Sequence, residues 1–130
     1  MNLGEGSKPY KITFEERPDY LYVKIEGEED SFEISRQFWL EVAEKCAKLK
    51  PKRLFIEEDL KEKIDSAADT YRGAAERAQM GFEGVKIAFF DTQAEHHEAN
   101  KFGELVARNR GINVKVFIDR EEALKWLLAE

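Results

Sequence analysis

Tyr10, Ile12 and Phe14 alternate with Lys11, Thr13 and Glu15, the period-two mark of a strand. Arg17-Pro18-Asp19 follows as a turn, because proline presets the backbone and aspartate favours turn geometry. Leu21, Val23 and Ile25 then repeat the alternation. Two short strands across a tight turn predict an antiparallel hairpin. After Gly27 the period changes: Phe38, Trp39, Val42, Cys46 and Leu49 recur at helical spacing. A helix is expected from about Ser35 to Leu49, with Asp30 and Glu33 capping an earlier turn and Pro51 stopping it. Residues 53–57 read as a strand with Leu54 and Ile56 on one face, and the charged residues 58–63 as a solvated loop.

Ser66 with Asp69 forms a capping box that opens a second helix, its inner stripe being Tyr71, Ala74, Ala75 and Ala78 and its end near Gly81. Residues 84–91 predict a strand with Val85, Ile87 and Phe89 inward. Thr92 and Glu95 suggest another capping box, before a third helix lined by Ala99, Phe102, Val106 and Asn109 and ended by Gly111. Val114, Val116 and Ile118 mark the last strand, and Asp119 with Glu122 caps a final helix facing inward through Ala123, Leu124 and Leu127.

The order is β-β-α-β-α-β-α-β-α, an α/β chain. Each helix after the hairpin is a crossover, so a mostly parallel five-stranded sheet follows, with right-handed connections. Lys24, Lys86 and Lys115 interrupt the strands opposite their apolar stripes. Strands buried on both faces would run apolar throughout, so helices are expected mainly on one face. The other face would carry Tyr22, Phe55, Phe90 and Phe117, covered by lysine stems and the N-terminal segment or used in a homodimer. Residues 1–9 are small, polar and aperiodic, hence a flexible N-terminus, and residues 10–130 form a single domain.

The 130 residues suffice for a core without disulfide or metal. At 42% apolar residues the chain is globular rather than disordered. No apolar run approaches the roughly 20 residues of a membrane span, and no signal peptide is legible. The single Cys46 excludes an intrachain disulfide and fits a reducing, cytoplasmic setting. A net charge of −6 opposes nucleic-acid binding and strong attraction to anionic lipid.

No nucleophile triad or glycine-rich phosphate loop is present, so a non-enzyme is expected, without cofactor. The competing enzyme reading would use His96 or His97 with nearby carboxylates. These histidines flank carboxylates, but adjacent helical positions project apart, so no metal site is assigned. His96 and Asn100, one turn apart, suit the polar margin of a pocket. Alanines bury little area, so the second helix should hold the sheet weakly and leave room for a ligand. The expected ligand-binding surface is Tyr71, Ala74, Ala75, Ala78, Met80, Phe82 and Phe102, with His96 and Asn100 as its margin. Ala75→Trp should then block it.

The element order resembles the SpoIIAA-like fold of anti-sigma-factor antagonists and STAS domains, to which CRAL-TRIO lipid-transfer domains are related. Ile64-Asp65-Ser66-Ala67-Ala68 sits where the antagonists carry Asp-Ser-Ser-Gly. The run 106–117 (Val-Ala-Arg-Asn-Arg-Gly-Ile-Asn-Val-Lys-Val-Phe), followed by Ala123-Leu124-Lys125-Trp126-Leu127, is similar to small bacterial SpoIIAA-like proteins of uncharacterised role. In the antagonist motif the phosphate goes on the second serine, here Ala67, and the glycine is Ala68; only Ser66 remains. The resemblance implies a binding or regulatory module that takes an apolar small molecule or lipid, or transiently meets a membrane, under the second and third helices. The alternative is a STAS-type domain with a regulatory protein partner and a degenerate phosphorylation motif at Ser66.

Overall fold

The computed structural model describes residues 8–129. Most of the expected flexible N-terminus therefore lies outside the described residues. The elements are β1 (Tyr10–Glu16), β2 (Leu21–Asp30), α1 (Phe32–Leu49), β3 (Arg53–Lys63), α2 (Ala67–Arg77), β4 (Lys86–Asp91), a 3-10 turn (Ala94–His96), α3 (His97–Arg108), β5 (Asn113–Phe117) and α4 (Arg120–Leu128). The sheet order is β1-β2-β3-β4-β5. β1 and β2 form the expected antiparallel hairpin, and the other neighbours are parallel.

The main core joins Val23, Ile25, Leu54, Ile56, Ile87 and Val116 of the sheet to α1, α2 and α3. Trp39 anchors α1, its ring 5.9 Å from Phe38, 5.5 Å from Phe82 and 6.2 Å from Phe89. Cys46 lies on the same buried face, and burial pushes its thiol pKa up to about 11, so it stays an inert thiol at neutral pH.

The opposite face is not the half-wet surface expected. α4 lies on it, with Ala123 and Leu127 fully buried against Tyr22, Phe55, Ala88 and Phe117. Phe55 is 1% exposed. Among the described residues the covering group is thus α4. Lys86 does lend its stem, donating from Nζ to the carbonyl oxygens of Trp126 and Ala129.

Several boundaries move for local physical reasons. α1 starts three residues early because Ser31, not Asp30, is its N-cap, accepting from the Ile34 amide. The Ser66–Asp69 capping box and the Asp119 cap form as expected. The Thr92–Glu95 box does not: Thr92 Oγ1 donates to Asp59 instead, and a 3-10 turn precedes α3. Gly27 does not end β2, which continues to Asp30. A Cβ on Gly27 would approach the Pro9 carbonyl oxygen to 2.9 Å and Leu60 Cδ2 to 3.0 Å, so this crossing needs glycine.

A buried polar cluster and groove at the strand ends

The largest departure from the sequence reading creates the site. Residues 58–63 are not a solvated loop but the second half of β3, paired with β2 as far as Asp30↔Lys63. Glu58 continues the inward series Leu54 and Ile56, so strand alternation carries a carboxyl group into the core. Asp91 extends the series Ile87 and Phe89 in the same way and is Glu58's register partner on β4. Asp30 closes β2 at the same edge. The carboxyl ends of three parallel strands therefore place three buried acids together, where open α/β sheets commonly bind ligands.

Asp91 is held by three groups. The Gln93 amide donates to Oδ1 at 2.8 Å, Asn100 Nδ2 donates to Oδ2 at 2.8 Å, and His96 Nδ1 lies 3.2 Å from Oδ2. His96 and Asn100 thus meet on one aspartate. Lys63 Nζ lies 3.3 Å from Asp30 and 3.4 Å from Asp65. The guanidinium of Arg77 also faces Asp30, Glu58 and Asp65. Burial raises the Asp30 pKa, although Lys63 opposes it. Burial, with repulsion from Asp30 and Asp91, raises Glu58 well above the ordinary carboxylate range.

Glu58→Gln should therefore stabilise the metal-free protein at neutral pH by about 1–3 kcal/mol, since it removes an unfavourable buried charge. A group raised in the folded state stabilises it below the unfolded pKa and loses that contribution as pH rises through the folded pKa. The gain from Glu58→Gln should accordingly vanish in acid, where both states protonate the carboxyl, and grow with pH. Urea midpoints in chelator-treated buffer across the acid-to-neutral range read this directly; a destabilised variant at neutral pH would refute it.

Two spaces adjoin the cluster. An internal cavity of about 80 Å³ lies between α2, α3 and the sheet, walled by Trp39, Phe82, Ile87, Phe89, Val114 and Val116. Its polar end carries Lys63, Asp65, Arg77 and Asn100. Outside it, an open groove of about 800 Å³ runs between the end of β3 and the first turns of α2 and α3. Lys63, Asp65, Thr70 and Ala99 line both.

The expected binding residues are divided by this geometry. Ala78, Phe82 and Asn100 line the cavity, while His96 and Phe102 line the groove. Ala74 is fully buried in helix packing, and Met80 packs on the main core. Tyr71 is 47% exposed, its hydroxyl accepting from Arg110. Ala74 and Ala78 face inward as expected, but Thr70 takes the inward place beside them that Tyr71 was expected to hold. Ala75 is half-buried and lines neither space, so the steric test belongs at Ala99. Ser66 is exposed at the groove edge with its hydroxyl occupied as the N-cap. In the sequence Asp30 reads as a helix cap, Asp91 as the end of a strand and Glu58 as part of a solvated loop, so nothing local brings the three acids together. Leu60, alternating with Glu58, was the available sign that β3 continues.

Similarity to solved structures follows the whole chain. An anti-sigma factor antagonist from Mycobacterium paratuberculosis superposes with a TM-score of 0.64 at 10% identity, covering 95% of this chain and 98% of that one. An uncharacterised protein with a SpoIIAA-like fold from Shewanella loihica gives 0.54 at 19% identity, covering 95% and 99%. The fold is SpoIIAA-like. No protein-family model and no curated protein matches the sequence. Among the described residues, no helix is long and apolar enough to cross a membrane.

Proposed function

We propose that this SpoIIAA-like chain is a non-catalytic binding module for a small amphipathic molecule held under α2 and α3. The observation that carries this reading is the apolar cavity set beside the open groove, with Lys63, Asp65, Thr70 and Ala99 lining both. At about 80 Å³ the cavity is near half the ~150 Å³ that accommodates benzene in an engineered apolar cavity. It therefore suits the terminal carbons of an alkyl chain, with the rest of the chain and the head in the groove. In the groove, Glu62, Asp65, Glu95 and Glu98 outnumber Lys61 and Lys63, so the head is neutral and polar rather than anionic.

Ala99→Phe adds bulk to the wall that the two spaces share. Native mass spectrometry of wild-type protein with 1-octanol should show a one-to-one adduct that is lost on denaturation. Ala99→Phe should weaken it at least tenfold while retaining its circular dichroism spectrum. A wild type that takes no octanol, or a folded Ala99→Phe that binds equally, refutes the pocket.

The fold shared with an anti-sigma factor antagonist favours a second reading, a regulatory domain with a protein partner meeting the α2 edge. Ser66 would be its modification point, although Asp65 and Asp69 flank that position and repel a phosphate. Protein isolated from its own cells distinguishes the two in the same instrument. A phosphate mass that survives denaturation and maps to Ser66 supports the partner reading; a mass released on denaturation supports the ligand.

A further inference from the structure

We propose that Glu58, Asp91 and His96 form a binding site for one divalent first-row transition-metal ion. Each of these residues offers a ligand atom within 4.8 Å of the other two, and all three are buried. They come from separate places in the fold, the middle of β3, the end of β4 and the 3-10 turn before α3. Two carboxylates and one imidazole suit zinc or manganese better than calcium or magnesium, which favour oxygen alone.

The surroundings point to a cation independently of the ligand types. Glu58 is 2% exposed, yet its Oε2 has no hydrogen-bond partner among the described residues. An unpaired buried carboxylate oxygen is costly unless an ion or a proton satisfies it. Asp30, Glu58 and Asp65 face Lys63 and Arg77, and Asp91 faces Glu58 from the other side, so carboxyl groups are in excess over cations around Glu58. A divalent ion offsets that excess. Asp91 is already oriented by Asn100 and the Gln93 amide, as outer partners orient a metal ligand. His96 also lines the groove, which gives the ion an entry path and leaves its remaining coordination positions facing the ligand space. His97 lies outside the set, so the site needs only one of the two adjacent histidines. The rival occupant is a proton shared between Glu58 and Asp30.

The test uses the full chain stripped with chelator and titrated calorimetrically with zinc chloride, then with manganese, calcium and magnesium chlorides. Expected is one zinc per chain, with calcium and magnesium at least tenfold weaker. Glu58→Gln and His96→Gln should each weaken zinc at least tenfold, and Glu95→Gln, an exposed acid of the groove, should not. Zinc should raise the melting temperature of the wild type and leave that of Glu58→Gln unchanged. Glu58→Gln is expected to fold at least as well as the wild type, so its lost binding would not reflect unfolding. Absence of zinc binding by the wild type would assign the cluster to the shared proton and overturn the proposal. Zinc binding retained by both ligand variants, or matched by calcium, would overturn it too.

Discussion

Trp39→Ala should lower the unfolding free energy by about 3–5 kcal/mol, the usual cost of removing a large buried aromatic. Trp39 is 5% exposed and touches each layer around the cavity. Its ring meets Phe38 on its own helix, Phe82 after α2 and Phe89 on β4, while the Arg77 guanidinium lies 5.3 Å from its centroid. The deletion therefore removes apolar area, enlarges a space that is already imperfectly filled and strips a cation–π partner from Arg77. α2 offers little to close the gap, because Ala74 and Ala78 are its buried apolar residues. Against a typical total of roughly 5–15 kcal/mol, the loss is large. Urea unfolding followed by circular dichroism should show a much lower midpoint with the slope unchanged. Trp39→Phe should recover a substantial part. A Trp39→Ala midpoint within experimental error of the wild type would mean that α1 is not anchored through this residue.

The same residue shows what the sequence makes legible. Phe38, Trp39, Val42 and Cys46 recur at one helical spacing, and all are buried on one face of α1. The hairpin, the Ser66–Asp69 cap and the strand alternations are local patterns, and the fold respects them except at Ile118, which lies past β5 and is exposed. Legibility fails where tertiary pairing overrides local polarity. Residues 58–63 are mostly charged, but the ladder with β2 holds them extended and buries Glu58 and Leu60. The facing of α2 and α3 also slipped. Tyr71 and Phe102 are large and apolar enough to claim the inner stripe, yet the close approach of these helices selects Thr70 and Gly103 there, beside the expected Ala74. Size decided against them, since a tight helix contact admits small side chains. The pocket's location between α2, α3 and the sheet was therefore legible, while half of its residues and the acids beneath it were not.

Phe55→Ala should cost about 3–5 kcal/mol as well, although Phe55 lies on the sheet face opposite Trp39. At 1% exposure it is the most buried of the aromatics beneath α4, with ring centroids of Tyr22, Tyr20 and Phe90 at 5.9, 6.1 and 6.5 Å. An open, half-wet face would predict a much smaller loss, because solvent would already reach the ring and little cavity would form. The size of the effect therefore decides whether α4 is a structural layer or a loosely laid cover. The polar contacts around it argue for a layer. Arg53 Nε donates to the Leu127 carbonyl oxygen, Lys86 to those of Trp126 and Ala129, and Arg120 reaches across to Glu57, which also accepts from the Tyr22 hydroxyl. The Arg53 and Lys86 bonds satisfy the carboxyl end of α4 with cations from the sheet, the arrangement a helix dipole favours, while Arg120 ties its first turn to β3. Hydrogen exchange should report the same result locally: in Phe55→Ala the α4 amides lose protection, while those of α1 keep it relative to global stability. Because Trp39 and Phe55 lie on opposite faces with no shared contact, their losses should add within about 0.5 kcal/mol in a stabilising background. Strong non-additivity would mean that the two layers fold as one strained unit through the sheet.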